Sequence, residues 1–346
     1  MIAGSPRILI IRLSAIGDVV RTVPAMQALR DAFPQAHIDW IVERKSADII
    51  SGHPALDGLI VFERPEGKWE SSRQFAGLCR DIRNKRYDIA VDFHGILKTG
   101  VITAATRAKK RYGFARPRSQ EGSTLSYTER VAVPQNKLNR AEENLRLCQA
   151  VAPNARWQAP LIYVPVEVQD SVDDFFEEAF DSDKIVVALH APVDRPEKQW
   201  PLKNFAELSD LLLADGRFEV MLTWGPDQFS TVEEILSLTR RNPTVAPETP
   251  DLKFYAGLAA RCGLYVGGDT GPMHIASAMG TPVVAIFGGT DPAQHAPYQL
   301  PHVFLYAGVP GGSAAQGLAA AQARLESITP DAAYEASVQL LFGAPH

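Results

Sequence analysis

Short aliphatic and β-branched runs, each followed by a helix-length amphipathic stretch, recur through the 346-residue chain in two successive series. The first series is "RILIIRL" (7–13), "HIDWIVE" (37–43), "GLIVFE" (58–63), "YDIAVDF" (87–93) and "KRYGF" (110–114), with helical patterns over 19–32 and 71–85. The second is "KIVVALHA" (184–191), "FEVMLTW" (218–224), "LYVGGD" (264–269) and "TPVVAIFG" (281–288). Strands that are apolar on consecutive positions suit burial on both faces, and their alternation with helices makes the sheets parallel. Between the series, "VAPNARWQAPLIYVPVEV" (151–168) is proline-rich and aperiodic, as a linker is. The length suits two cores. The expectation is an α/β chain of two Rossmann-like domains facing each other across a cleft. They cover residues 1–160 and 161–328, and a C-terminal helix over 329–346 is placed to pack back on the first.

Composition closes off several classes of function. A net charge of −5 argues against generic nucleic-acid binding. Cys79, Cys148 and Cys262 are odd in number and lack CxxC spacing, so they read as free thiols in a reducing compartment. The start, "MIAGSPRILIIRL", reads as a first strand and not a signal peptide, and no apolar run reaches the ~18 residues that span a bilayer. A cytoplasmic location is expected. There is no GxxxxGK[ST], HExxH or GxSxG, and Gly17 stands alone where a dinucleotide loop needs spaced glycines. The acidic triplet Asp181-Ser182-Asp183 precedes its strand, at the wrong sheet edge for a ligand, so no metal is expected.

In open parallel sheets, ligands bind beyond the carboxyl ends of the strands. "IIRLSAIGDVVRTVP" (10–24) runs from strand through Gly17-Asp18 into helix. Asp18 either caps that helix or is a base aimed at a substrate. In "YVGGDTGPMHIASAMGTPVVAIFGGTDP" (265–292), Gly267 and Gly268 are expected to let the backbone turn, and Pro272 suits a helix start. Helix starts expose unpaired N–H groups that favour phosphate. Thr270 and Gly271 can present such groups to a diphosphate. Asp269 would repel phosphate and is better suited to sugar hydroxyls, unless Asp269 and Thr270 merely cap the helix. Lys198, in "ALHAPVDRPEKQWP" (188–201), can stabilise a departing diphosphate. His190, at a strand end, reads as structural.

Taken together, "IRLSAIGDVVRTVPA", "YDIAVDFHGILKTG", "EKQWP" and "GGDTGPMHIASAMGTPVVAIFGGTDP" resemble glycosyltransferase family 9, the lipopolysaccharide heptosyltransferases. They occur in the family's order over nearly the whole chain, and the first is most similar to the type I branch. The resemblance implies a GT-B fold with the acceptor in the first domain and the nucleotide sugar in the second. It implies inverting, metal-independent transfer from ADP-L-glycero-D-manno-heptose to Kdo2-lipid A, with no cofactor beyond that donor. It makes Asp18 the general base, sets Lys198 on the donor phosphates, Asp269 on the donor sugar, and Thr270 and Gly271 on the diphosphate. His274, in the same segment, joins the donor-binding set. The loop "HAPVDRPEK" departs from the family by Pro192-Val193, where some members carry small hydroxyl residues.

Inversion needs a base on the face opposite the leaving group. A free aspartate titrates near about 3.9, so desolvation on closure is expected to raise the basicity of Asp18, against the opposing pull of the helix start. The segment 98–118 holds Lys98, Arg107, Lys109, Lys110, Arg111, Arg116 and Arg118 with no acid. It is expected to bind the acidic acceptor, or to seat the protein on the anionic cytoplasmic face of the inner membrane; the plain alternative is a solvated face. Rival readings are the same fold with another donor or a heptosyltransferase II-like acceptor, a GT-B-like nucleotide-sugar epimerase, and a non-catalytic nucleotide-sugar-binding protein.

Overall fold

The apolar runs of the first series pair side by side in a computed structural model that describes residues 5–63, 68–134, 138–311 and 317–343, with backbone alone at 68–71. The chain divides into two units, Met1–Tyr163 and Val164–His346. In unit 1 the strands are β1 (Arg7–Ile11), β2 (His37–Glu43), β3 (Gly58–Phe62), β4 (Ile89–Asp92) and β5 (Lys110–Phe114). A further short strand, β6 (Glu129–Val131), is too polar for its pattern to announce it. All run parallel in the order β3-β2-β1-β4-β5-β6. The helices are α1 (Ile16–Val20), α2 (Val23–Ala32), α3 (Arg44–Ala47), α4 (Lys68–Asn84), α5 (Leu97–Ala105) and α6 (Arg140–Val151). The single helix expected over 19–32 is thus broken at Arg21-Thr22. Pro24 lacks an N–H and restricts the residue before it, so a new helix begins there.

Unit 2 holds α7 (Val166–Ala179), β7 (Ile185–His190), α8 (Leu202–Asp215), β8 (Phe218–Thr223), α9 (Phe229–Leu238), β9 (Thr244–Val245) and α10 (Leu252–Arg261). It continues through β10 (Leu264–Gly268), α11 (Gly271–Ala278), β11 (Val283–Phe287), α12 (Pro292–His295), β12 (His302–Tyr306), α13 (Leu318–Ser327) and α14 (Pro330–Phe342). The parallel order is β12-β11-β10-β7-β8-β9, so each sheet repeats one plan. Each reverses direction between its first and fourth strands, β1/β4 in unit 1 and β7/β10 in unit 2. That reversal opens the crevice in which such sheets take ligands. Helix α7 begins inside the segment expected to be linker. Helix α14 packs within its own unit: Phe342 meets Phe218 at 6.1 Å, Arg217 stacks on Phe342 at 4.5 Å, and the Tyr334 hydroxyl donates to Asp215. Among the described residues no helix is long and apolar enough to cross a membrane.

At the opposite edge of the unit 1 sheet, the buried Asp39 carboxylate accepts from Tyr87 Oη at 2.5 Å and Lys85 Nζ at 3.1 Å, with His37 Nε2 at 3.0 Å. Burial alone would raise this carboxyl, but the Tyr87 and Lys85 hydrogen bonds hold it below its usual range. A group depressed in the folded state stabilises above its unfolded pKa, about 3.9, and loses that contribution as pH falls further. Asp39→Asn is expected to cost about 2 kcal/mol at neutral pH. Thermal melts from pH 7 to pH 2 should show its deficit against the parent shrinking only below about pH 4.

Candidate active site

Both reversal points are lined by the residues that directly follow the strands. In unit 1 the chain leaves β1 through Arg12, whose carbonyl accepts from Trp40 Nε1 at 3.0 Å. Asp18 lies in the first turn of α1, but Ala15 holds the N-cap position and makes no side-chain cap bond. Asp18 is therefore not a cap. Its carboxylate instead lies between two guanidiniums: Arg12 pairs with Oδ2 and Arg21 with Oδ1, the latter at 2.5 Å. The Arg12 side chain is buried, whereas that of Asp18 is 29% exposed, so the acid is held on one side and open on the other. Burial lowers the Arg12 pKa to about 10 although Asp18 favours its charge. Two cations favour the anionic carboxylate, so they oppose the gain in basicity expected from desolvation.

The basic segment does not stay together. Lys98, at the start of α5, reaches Glu43 at 3.6 Å and lies over the Phe62 ring. Arg118 pairs with the buried Glu143 at 2.8 Å and donates to His94 O. Both lie beyond strand ends on the Asp18 edge, as does the exposed Arg116. Arg107, Lys109, Lys110 and Arg111 stand at the start of β5, on the opposite edge of the sheet. There Lys110 pairs with Glu129 at 2.6 Å, and Arg111 donates to the carbonyls of Ser126 and Ala108. A parallel strand carries its two ends to opposite sheet edges, so a run of cations spanning β5 cannot form one acceptor surface. Of the seven cations, Lys98, Arg116 and Arg118 lie on the Asp18 edge of the sheet, where Arg12 and Arg21 also stand, and the other four do not.

In unit 2, Trp200 is buried, donates to Ile328 O at 3.0 Å and packs edge-on against Phe205. This anchors the loop that carries Lys198. Lys198 Nζ donates to Asp269 Oδ2 and to Asp269 O, each at 2.8 Å. Thr290 Oγ1 donates to the same Oδ2 at 2.8 Å, and His274 Nε2 lies 3.6 Å from Oδ1. Burial would raise the Asp269 carboxyl, but the neighbouring His274 ring and the charges of Lys198 and His295 hold it well below the usual range. Asp269 is consequently a fixed anion. Neither Asp269 nor Thr270 caps α11: Thr270 holds the N-cap position without a side-chain cap bond, and Gly271 opens the helix. The Thr270 side chain thus leaves the start of α11 uncapped, at the helix end where phosphates bind.

Gly267 and Gly268 do not turn the chain; they are the last residues of β10, and their value is clearance. A Cβ on Gly267 would meet His190 O at 2.7 Å, and one on Gly268 would meet Lys198 O at 3.1 Å. The missing side chains let the Lys198 loop lie against the strand. His190 is indeed structural, buried and bonded through Nδ1 to Thr223 at 3.0 Å, with burial lowering its pKa to about 4. Beside the divergent Pro192-Val193, a cavity of about 460 Å³ is lined by Val193, Asp194 and Gln199 of the loop and by Gln322 and Glu326 of α13. Among the described residues no three His, Cys, Asp or Glu side chains group as metal ligands. Sequence reasoning missed Arg12, Arg21, His94, Thr290 and His295. Of these, Thr290 lies within the 265–292 segment, in the loop after its second strand.

A sequence model of glycosyltransferase family 9 (heptosyltransferase) matches residues 75–307, more than half of the chain. The chain belongs to glycosyltransferase family 9. Among curated relatives of this family 9 enzyme, the lipopolysaccharide core heptosyltransferase OpsX of Haemophilus influenzae is 26% identical over 84% of the chain and 81% of the relative. Lipopolysaccharide heptosyltransferase 1 of Escherichia coli is 26% identical over 83% of the chain and 89% of the relative. A solved family 9 glycosyltransferase of Veillonella parvula superposes with a TM-score of 0.85 at 22% identity, covering 99% of each chain. E. coli heptosyltransferase WaaC with ADP-2-deoxy-2-fluoro heptose superposes with a TM-score of 0.71 at 22% identity, covering 95% of this chain and 98% of that one. These likenesses show the fold, which is GT-B.

Proposed function

We propose that this glycosyltransferase transfers L-glycero-D-manno-heptose, with inversion and without a metal, from ADP-heptose to Kdo2-lipid A in assembly of the lipopolysaccharide inner core. The observation that carries the reading is the Lys198–Asp269–His274–Thr290 constellation at the uncapped start of α11. It offers a cation and helix N–H groups to a diphosphate and a fixed carboxylate to sugar hydroxyls. The relatives support the chemistry, being named for lipopolysaccharide heptosyl transfer, and WaaC is seen with an ADP-heptose analogue.

In this reading Asp18 takes the proton of the acceptor hydroxyl as that oxygen bonds to the anomeric carbon and the ADP oxygen departs. A carboxylate offers about four acceptor positions, so a hydroxyl can join Arg12 and Arg21 on it. The guanidiniums and Arg118 suit an acceptor bearing phosphates and carboxylates. Location at the cytoplasmic face of the inner membrane is part of the same proposal.

The test follows ADP release from ADP-heptose with and without Kdo2-lipid A, in the presence of EDTA. Release is expected only with acceptor and unchanged by the chelator. Release without acceptor would indicate hydrolase or epimerase chemistry. Turnover confined to a heptosyltransferase II-type acceptor would retain the family and replace the substrate, and loss with EDTA would end the metal-free mechanism.

A further inference from the structure

His94 stands at the same reversal point as Asp18, at the end of β4, and the proposed reaction gives it no role. Its main chain is held from several sides. Asp92 Oδ1 accepts from His94 N at 2.9 Å and Gly95 N at 3.1 Å, Arg12 Nη1 donates to Phe93 O at 2.8 Å, and Arg118 Nη1 donates to His94 O at 3.3 Å. Asp92 is itself buried and takes the Tyr127 hydroxyl at 2.8 Å on its other oxygen. The ring is oriented too, because the Leu13 N–H donates to His94 Nδ1 at 3.4 Å. A donor on Nδ1 selects the tautomer whose proton sits on Nε2.

The charged groups around the ring come from four elements: Arg12 after β1, Asp18 on α1, Lys98 on α5 and Arg118 after β5. Burial first, then Arg12, with smaller contributions from Arg118 and Lys98, disfavour imidazolium and bring the His94 pKa down to about 3, although Asp18, second only to Arg12 among the charges, acts the other way. The ring is therefore neutral at neutral pH. Its one lone pair is engaged by Leu13, so His94 is no base. What it offers is an N–H at Nε2, which no described residue takes up, on a half-buried side chain.

We propose that His94 is an acceptor-binding residue whose Nε2–H donates to a hydroxyl or carboxylate oxygen of the acceptor sugar beside Asp18. The inference rests on the reading that unit 1 binds the acceptor. The chemistry is complementary: Asp18 only accepts, whereas the attacking hydroxyl both donates and accepts. A neutral donor orders that oxygen without competing for the Asp18 charge, as a further cation would.

The experiment compares the parent, His94→Ala and His94→Gln in the full chain, since the glutamine amide keeps an N–H donor at similar reach. With Kdo2-lipid A varied, His94→Ala is expected to raise acceptor KM about tenfold, the loss of one hydrogen bond. Donor KM stays unchanged and His94→Gln recovers most of the effect. The acid limb of the kcat/KM profile is expected to stay in place in His94→Ala. Thermal melts identify any variant that is merely unfolded, and the glutamine variant then carries the comparison. An acceptor KM within twofold of the parent in a folded His94→Ala overturns the proposal. So does a shifted acid limb, which would make the imidazole a titrating group. A parent that releases no ADP in response to acceptor overturns the functional reading instead, an outcome separate from either.

Discussion

Asp18→Asn is expected to lower turnover by roughly a hundred- to ten-thousand-fold, the contribution of a positioned general base. Asparagine preserves the volume and one acceptor oxygen but cannot take a proton. Since Ala15, and not Asp18, holds the N-cap position of α1, the loss cannot come from an uncapped helix. It does carry a structural side effect. The substitution removes the counter-charge from the buried Arg12, which keeps its hydrogen bond to Phe93 O. A uniform drop in stability would therefore accompany the chemical defect, and the two must be read separately. Calorimetric binding of ADP to unit 2 is expected to match the parent, because Lys198 and Asp269 are untouched. Turnover within a few-fold of the parent, with ADP binding intact, would remove Asp18 as the base.

Lys198→Ala is expected to act twice. In the reaction it removes the cation offered to the departing diphosphate, a loss of roughly a hundred- to a thousand-fold in kcat. In the fold it strips the buried Asp269 carboxylate of its closest counter-charge, at 2.8 Å, where breaking one side of a buried pair costs up to about 3–5 kcal/mol. Removing both charges should be gentler on stability than removing one, so the Lys198→Ala, Asp269→Asn double variant is expected to melt above Lys198→Ala alone. The pH dependence has a definite sign. Asp269 is depressed in the folded state, so its stabilisation is present above the unfolded value of about 3.9 and fades as pH falls below it. Melts of the parent and Asp269→Asn should converge on acidification and not on alkalinisation. A Lys198→Ala protein with parental kcat would leave the lysine only its pairing role.

Much of this architecture was legible from local pattern. The continuous apolar runs marked the long buried strands, while β6, β9 and β12 escaped because they are short or only half-buried edge strands. Asp18, Lys198, Asp269 and Thr270 were singled out because each lies in the segment that follows a strand, where parallel sheets take ligands. Proline and glycine marked the start of α11 correctly, yet the glycines before it turned out to serve clearance, which depends on what lies opposite them.

The sequence by itself determined the two α/β units, the strand-end position of the reactive segments and the family, because hydrophobic period, proline and glycine act over a few neighbouring residues. Only the tertiary structure decided which charges meet. Arg12 reaches both Asp18 and Phe93 O because β1 pairs with β4, some eighty residues on, and Lys198 reaches Asp269 because β7 pairs with β10. The same geometry divides 98–118, since a strand rising about 3.3 Å per residue sends cations adjacent in sequence to opposite edges of the sheet.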